Sequence, residues 1–567
     1  MNIMTTEIND VGKLPTQCKH NYIVKVSNTD VDEDDYYLRF EGKNEQDGPG
    51  SWQECAEPGI EDAFDPATMP IQLVRQSDGS FLIQQVDYPR RSVGSENDGT
   101  NTVPSFVGNN INKALFWSNR VIFLSSNNAI ASQPGDSNIL TPSFWSKTAL
   151  TLSPEDVIDL AASSTYPAKL VDGLEVSSGL LLFSENQQFM LLAEAEVLNP
   201  ETAKINAQST YNYNVNVSPF SLGTSAGFID NAGANSRFFE MTDIRRTSAP
   251  AIVDQSITVP SLLPKNIDLV TNSRENTYVL FAVSGDNFVY GYRYFNTNQE
   301  RLQAAWFKWE LQDNIKYHCI IDDTYYVLHT NNNLVSFDLR TESDTAYIDV
   351  TSNEYNTNTV NYPLHLDNYV KYSSNNFEYD SETRKTTFTI PDGFAYDKDV
   401  AVINDNPNDE TNSNFGQYAI ATVSGNQASL LGNWETNQDL YVGYNYNMQI
   451  KFPTIYLLAR SGDNAIADVN MSLVIHRLKL TLGMVGVYET TIERKGREDY
   501  TELFESSTQD AYLSNTSPWV DKKTHTIPTY DRNTNLAVYL KSTHPSPATL
   551  HSLSWEGDAN TKFYQRV

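Results

Sequence analysis

Cysteine is nearly absent from this chain. Its 567 residues hold three, Cys18, Cys55 and Cys319, far apart and in no pair spacing, which excludes a disulfide framework and a CxxC metal knuckle. Long apolar runs are missing too. None approaches the ~20 residues of a membrane-spanning helix, and residues 1–20 lack the apolar stretch of a secretory leader, so a soluble chain without a secretory address is expected. Positive charge is scarce: 40 Lys and Arg stand against 71 Asp and Glu, a formal charge of −31. A surface of that sign repels phosphate backbones and argues against a protein built to grip nucleic acid. It suits a wall past which DNA slides, and it serves solubility equally well.

Signatures of chemistry are also lacking. There is no P-loop, no GxGxxG after a strand and no HExxH, and the eight histidines, among them His318, His329 and His476, read as half-buried sheet residues rather than ligands. Gly223-Thr-Ser-Ala-Gly227 matches the letters of the nucleophile elbow, but after Ser225 the chain runs through Phe228-Ile229 into another turn, without the helix that motif needs. Ser225 is therefore expected in a Gly-rich turn. Carboxylates abound, but a glycosidase pair is defined by spatial separation and no pair is singled out. Asp30, Asp32, Asp34 and Glu41 approximate a calcium loop, yet Asp35 stands where that loop needs Gly and the flanks read as strands. A solvated hairpin tip is the preferred reading, with calcium as the alternative. No catalytic residue and no cofactor is expected.

What is present is β pattern and aromatic surface. Tyr290 to Leu311 (YGYRYFNTNQERLQAAWFKWEL) reads as two aromatic strands around an Asn-rich connection, with Tyr290, Tyr292 and Tyr294 on one side and Trp306, Phe307 and Trp309 together on the other. Packing rather than base or sugar stacking is the expected role of these rings. The same pattern recurs along the chain, each time an apolar strand, an Asn- or Gly-centred turn and a second apolar strand. It starts at Asn119–Leu124, Gly179–Phe183, Gly227–Ile229, Tyr278–Val283 and Tyr325–His329. A spacing of roughly 50 residues is that of β-propeller blades, with stacked β-sandwiches as the alternative.

The expected fold is thus all-β. It comprises an N-terminal β region over 1–103, a β-propeller-like domain over 104–340, and a C-terminal β-sandwich or meander with long loops over 341–567. Residues 42–64 read as a connector, Leu440–Phe452 as one long strand, and the long polar loops between 353 and 415 as a candidate mobile tip.

Several separated segments, taken in order, carry a resemblance. They are Thr68-Met-Pro70 with Leu73-Val-Arg75 and Asp78-Gly79; Pro104-Ser-Phe-Val-Gly108 with Ile111-Asn112 and Asn119-Arg120; and Leu181–Ser184 with Gln188-Phe189. Then come Pro219-Phe220 with Gly223, Gln299–Gln303 with Ala305-Trp306 and Trp309, and Ser554–Asp558, which includes Trp555 and Gly557. Together they resemble the tail nozzle (tail tubular protein B) family of short-tailed bacteriophages, over roughly residues 20 to 567. Trp306, Trp309, Trp555 and Gly557 are its structural signature in this chain. The resemblance implies a virion protein, assembled in the host cytoplasm, that forms a homo-hexameric ring with the tail adaptor and tail fibre proteins. It implies a gated channel through which double-stranded DNA passes unbound to the host envelope, with no catalytic activity. The family's N-terminal Gly-Gly-Ile-Ser-Gln-Gln segment is not found, as expected of a shortened nozzle or of a part encoded separately. A glycan-binding or glycan-cleaving propeller acting at the host surface is the alternative function.

Overall fold

The computed structural model describes residues 6–27, 35–95, 100–135, 141–148, 151–164, 167–193, 198–244, 249–296, 301–339, 347–350, 360–363, 365–394, 398–404, 418–435, 440–461, 464–468, 471–504 and 522–560. Among them the only helical elements are three-residue 3-10 turns, and the chain is all-β. It divides into two compact units, 1–340 and 341–567.

The first unit starts with a five-stranded sheet in which Ile23–Val26 and Tyr36–Gly42 form the hairpin legible in the sequence. Part of the expected connector is in fact a strand of this sheet: Gly48–Cys55 pairs with Tyr36–Gly42, and Trp52 meets Phe40 edge-on at 5.2 Å. A separate two-stranded hairpin, Ile71–Arg75 with Phe81–Gln85, follows.

Five sheets then succeed one another. We call them blades 1 to 5, and every recurrent hairpin of the sequence is the middle of one. Blade 1 holds Ile111–Trp117, Arg120–Ser125, Asn128–Ala131 and Ile158–Ala161; blade 2 holds Leu170–Val176, Gly179–Ser184, Gln188–Leu192 and Lys204–Ser209. Blade 3 holds Phe220–Ser221, Ala226–Asp230, Arg237–Thr242 and Ala251–Asp254. Blade 4 holds Leu269–Ser273, Tyr278–Ala282, Phe288–Asn296 and Arg301–Glu310, and blade 5 holds Ile315–Ile321, Thr324–His329 and Leu334–Asp338.

A strand buried on both faces needs apolar residues at every position, which is why Gly179–Ser184 reads Gly-Leu-Leu-Leu-Phe-Ser and is buried throughout. Those two faces form separate cores. Leu180 and Leu182 pack with Ile122 and Leu124 of blade 1, while Leu181 and Phe183 pack with Phe228 and Phe239 of blade 3. The same alternation joins blade 3 to blade 4 through Phe238, Phe281 and Tyr292, and blade 4 to blade 5 through Leu280, Val289 and Tyr325. First strands of consecutive blades lie side by side, Ile111–Trp117 by Leu170–Val176 and Leu269–Ser273 by Ile315–Ile321. Polar side chains tie them: Lys113 Nζ donates to Asp172 Oδ2 at 2.8 Å, and Asn272 Nδ2 to the Ser221 carbonyl at 2.7 Å. Face-to-face sheets with adjacent first strands are a propeller-like arrangement.

In the second unit a seven-stranded sheet builds a core around Phe377, Phe388, Val402, Trp434 and Val442. A second core lies between a four-stranded sheet and the long strands Ser472–Val485, Lys523–Arg532 and Ala548–Asn560. The single strand expected over Leu440–Phe452 is two: Leu440–Tyr444 belongs to the seven-stranded sheet, and Met448–Lys451 pairs with Leu536–Ser542 in another. Gly557 sits opposite Ile475, where the register of the long strands shifts, and a Cβ there would lie 2.2 Å from the Val474 carbonyl oxygen. Gly557→Ala is therefore expected to cost about 1–3 kcal/mol by forcing the strands apart. Lower hydrogen-exchange protection along Ser472–Val485 would register it, and unchanged protection would refute it.

Candidate functional site

A buried polar cluster is built across blades 3 and 4. Glu240 lies on the third strand of blade 3, on the face that Phe238 turns toward blade 4, and its side chain is 2% exposed. A carboxylate so placed must be paired or become neutral. Arg301, first residue of the last strand of blade 4, supplies a two-pronged partner: NH1 donates to Oε2 at 2.5 Å and NH2 to Oε1 at 2.8 Å. Ser225 Oγ donates to Oε1 at 2.6 Å and Gln255 Nε2 to Oε2 at 2.7 Å. Burial pushes the Glu240 carboxyl up, but the hydrogen bonds from Arg301 and Ser225 and the Arg301 charge outweigh it and hold the group below the ordinary carboxylate value.

The aromatic residues of blade 4 complete the network. Tyr292 OH donates to Gln255 Oε1 and accepts from Arg301 NH1, each at 3.1 Å, and Trp306 Nε1 donates to the Gln255 carbonyl at 3.0 Å. The Arg301 guanidinium lies 5.4 Å from the Tyr294 ring centroid, a cation–π distance. Burial raises the Tyr294 phenol to about 12, so it stays protonated at neutral pH.

This geometry corrects the expected grouping of the rings. Strand alternation places Trp306 on the face of Tyr290, Tyr292 and Tyr294, with Tyr292 and Trp306 directly paired and their rings 4.9 Å apart. Phe307 and Trp309 point the opposite way, toward Tyr325 and Phe337 of blade 5. A side-chain period of two separates neighbours on a strand, so Trp306 and Phe307 cannot share a face. Phe307 lies over Gly291, where a Cβ would be 2.0 Å from the ring.

Ser225 is in the turn between Phe220–Ser221 and Ala226–Asp230, closed by Leu222 N donating to the Ser225 carbonyl at 2.9 Å. Its hydroxyl is buried and committed to Glu240, with no histidine in that cluster to act as a base. His318 Nδ1 is 2.9 Å from Tyr325 OH, and burial lowers its pKa to about 4. His329 faces the Asn314 carbonyl at 3.3 Å, and His476 lies 3.3 Å from Asp558. Of the calcium-loop residues, Asp30, Asp32 and Asp34 lie outside the described residues. Glu41 pairs with Arg39 at 3.2 Å, and Asp35, at the glycine position, pairs with Lys25 at 2.6 Å. Trp555 is half-buried opposite Leu478 and packs against the core of the long strands. Of the loops between 353 and 415, residues 353–359, 364, 395–397 and 405–415 lie outside the described residues.

Sequence reading missed Glu240 and Arg301 as a pair, because they are 61 positions apart in different sheets. One hint was available: a Glu between apolar neighbours in Phe238-Phe239-Glu240-Met241, on a strand whose pattern requires burial, has to find a cation. The assembled cluster ties two blades together. The Glu240 carboxylate takes all its partners from Arg301, Ser225 and Gln255, and Arg301 Nε donates outward to Asn296 Oδ1 at 2.9 Å, so the cluster serves as a lock between the two blades.

Comparison with known proteins places the whole chain. Tail tubular protein gp12 of Escherichia phage T7 is 24% identical over 571 residues, an alignment covering 98% of this chain and 68% of that protein. Among solved structures, PorZ of the Porphyromonas gingivalis type-IX secretion system overlaps with a TM-score of 0.26 at 11% identity, covering 63% of this chain and 39% of that one. Hsv2 of Kluyvelomyces marxianus gives 0.26 at 9% identity, covering 49% and 79% respectively. Neither overlap bears on fold or function at such scores. The model of the bacteriophage nozzle protein family matches residues 1–566. This chain belongs to the bacteriophage nozzle protein family, as a structural protein of the phage tail.

Proposed function

We propose that six copies of this chain form a ring whose channel carries the genome out of the virion, and that the work of each copy is geometric rather than catalytic. The observation that carries the reading is the family match along essentially the whole chain, residues 1–566. The architecture supports it: successive blades share cores and are pinned by inward-facing polar groups, as a rigid wall requires. In this reading residues 1–103 serve as platform or docking part, 104–340 as the propeller-like domain, and 341–567 as a second β domain that contributes candidate tip loops. The ring meets the tail adaptor and tail fibres in a virion assembled in the host cytoplasm, and engages the host envelope on infection. The charge of −31 favours a lumen rich in Asp and Glu that lets DNA pass without adhering.

A cryo-EM map of purified tails tests this. A sixfold ring around an acidic lumen is the expected result. Another rotational order, or a lumen lined with Lys and Arg, would overturn it, and release of reducing ends from host polysaccharide would replace it with a glycan-cleaving role.

A further inference from the structure

The hairpin Ile71–Arg75 and Phe81–Gln85 stands alone as a two-stranded sheet, a form that is at best marginally stable in water by itself. Its register pairs Leu73 with Ile83 and Arg75 with Phe81, so Ile71, Leu73, Phe81 and Ile83 share one face. That face is open: Ile71, Leu73 and Phe81 are 63% exposed and Ile83 is 67% exposed. An apolar patch on a two-stranded projection with a single cation, Arg75, is a surface shaped to be covered.

The same unit carries a surface of the complementary kind. At the root of the hairpin is a groove of about 1180 Å³, larger than the ~300–1,000 Å³ of ordinary small-molecule clefts. Its apolar lining includes Met69, Val107 and Ile111, and Glu61, Asp62 and Asp65 outweigh its one cation, Lys113, which is held by Asp172 at 2.8 Å. The hairpin's apolar face is exposed, so it does not fill its own groove. The hairpin's apolar face carries the one positive charge of Arg75, its acid Asp78 lying in the turn, while the groove lining is net acidic; two distinct, complementary surfaces are the condition for a head-to-tail contact that each copy makes once as donor and once as acceptor.

We propose that the hairpin of one copy seats in the groove of the next, with Ile71, Leu73, Phe81 and Ile83 against the apolar lining and Arg75 against the acidic wall. This rests on the ring reading above and names the contact that would propagate the ring. The occupant is a second copy because both halves of the match are written within this chain: Arg75 is the one charge on the hairpin's apolar face, and Glu61 and Asp65 stand on a groove wall whose third acid, Asp62, is already paired with Arg90 at 3.3 Å.

Two arms test it on the full-length protein. In the first, Ile83 is replaced by a photoreactive benzophenone amino acid, and isotope-labelled and unlabelled chains are mixed before assembly and irradiated. Cross-links joining labelled to unlabelled chain should map to residues 61–70 or 103–114. In the second, the double variant L73D/I83D should raise the concentration needed for assembly roughly tenfold or more. Arg75→Glu should weaken assembly, and adding Glu61→Arg should restore part of it. Circular dichroism and hydrogen exchange of the blades should stay unchanged, because the altered side chains are exposed. Rings that form without these cross-links and tolerate the double variant would overturn this contact and leave the ring reading standing, as would cross-links that lead to another tail protein. Wild-type chains that form no ring in solution or in tails would overturn both.

Discussion

Replacing Arg120 by Met is expected to destabilise the first unit by about 3–5 kcal/mol, the cost of removing one member of a fully buried polar set. Arg120 opens the second strand of blade 1 and is 1% exposed. NH1 donates to the carbonyls of Ser132 and Asp156 at 2.7 Å each, and NH2 to those of Pro154 at 2.8 Å and Leu198 at 3.3 Å. Leu198 belongs to the chain segment of blade 2, so one guanidinium fastens three loops and two blades. Burial pulls its pKa down while the Asp156 and Glu155 charges push it back up. Asp156 is itself buried, accepting from the amides of Lys147 at 2.8 Å and Ser153 at 2.7 Å. Met fills the volume but leaves four carbonyls without the guanidinium donors and takes away the positive charge that interacts with Asp156. Lys is also expected to fail, because a compact ammonium cannot serve four acceptors spread around a planar fork. Hydrogen exchange should show protection lost along Arg120–Ser125 and Asn128–Ala131 and retained in residues 341–567. Wild-type protection in the Arg120→Met variant would mean the loops are held by other contacts.

The contrast between Arg120 and the strand that follows it marks what a sequence of this kind discloses. Val121–Leu124 is readable because a central strand buried on both faces must be apolar throughout, and five such hairpins in series give the blade spacing directly. The flanking strands are far less visible. Lys204–Ser209 and Ala251–Asp254 lie at sheet edges, half exposed, and their mixed composition is that of any polar loop. Gly48–Cys55 is paired on both sides, yet its composition hides it equally well, with three consecutive exposed positions and a proline. Leu440–Phe452 fails differently: its two strands are each legible, but the passage from one sheet to another is decided by partners about a hundred residues downstream. Polar locks are the least legible, since a lone Arg or Glu gives no clue to which distant carbonyl or carboxylate will meet it. The family resemblance compensates by fixing the assignment of the whole chain, and the locks then explain how its blades hold together.

Removing Glu240 is expected to produce the second large effect. Glu240→Ala leaves the partly buried Arg301 without its carboxylate and Ser225 and Gln255 without their acceptor, for a loss of about 3 kcal/mol, at the low end for a buried pair because Arg301 is 23% exposed. Arg301→Ala should cost a similar amount by stranding a carboxylate that is only 2% exposed. The double variant should cost less than the sum, because the second truncation removes a group already left unpaired. The cluster also predicts a pH dependence. Glu240 has a lowered pKa in the fold, so its contribution is full above the unfolded carboxyl value of about 4.3 and is lost as pH falls through the folded value. His318, neutral in the fold with a pKa of about 4, acts in the same direction over a higher window: the unfolded chain takes up a proton near pH 6.5, and stability declines from there down to about pH 4. Acid unfolding of the first unit should therefore occur in two parts. Glu240→Gln, which keeps the shape but not the charge, should flatten the part below about pH 4.3 and leave the upper part intact. A variant that keeps the wild-type slope below that pH would assign the acid sensitivity to other carboxylates and deprive the Glu240 and Arg301 pair of its role in joining blades 3 and 4.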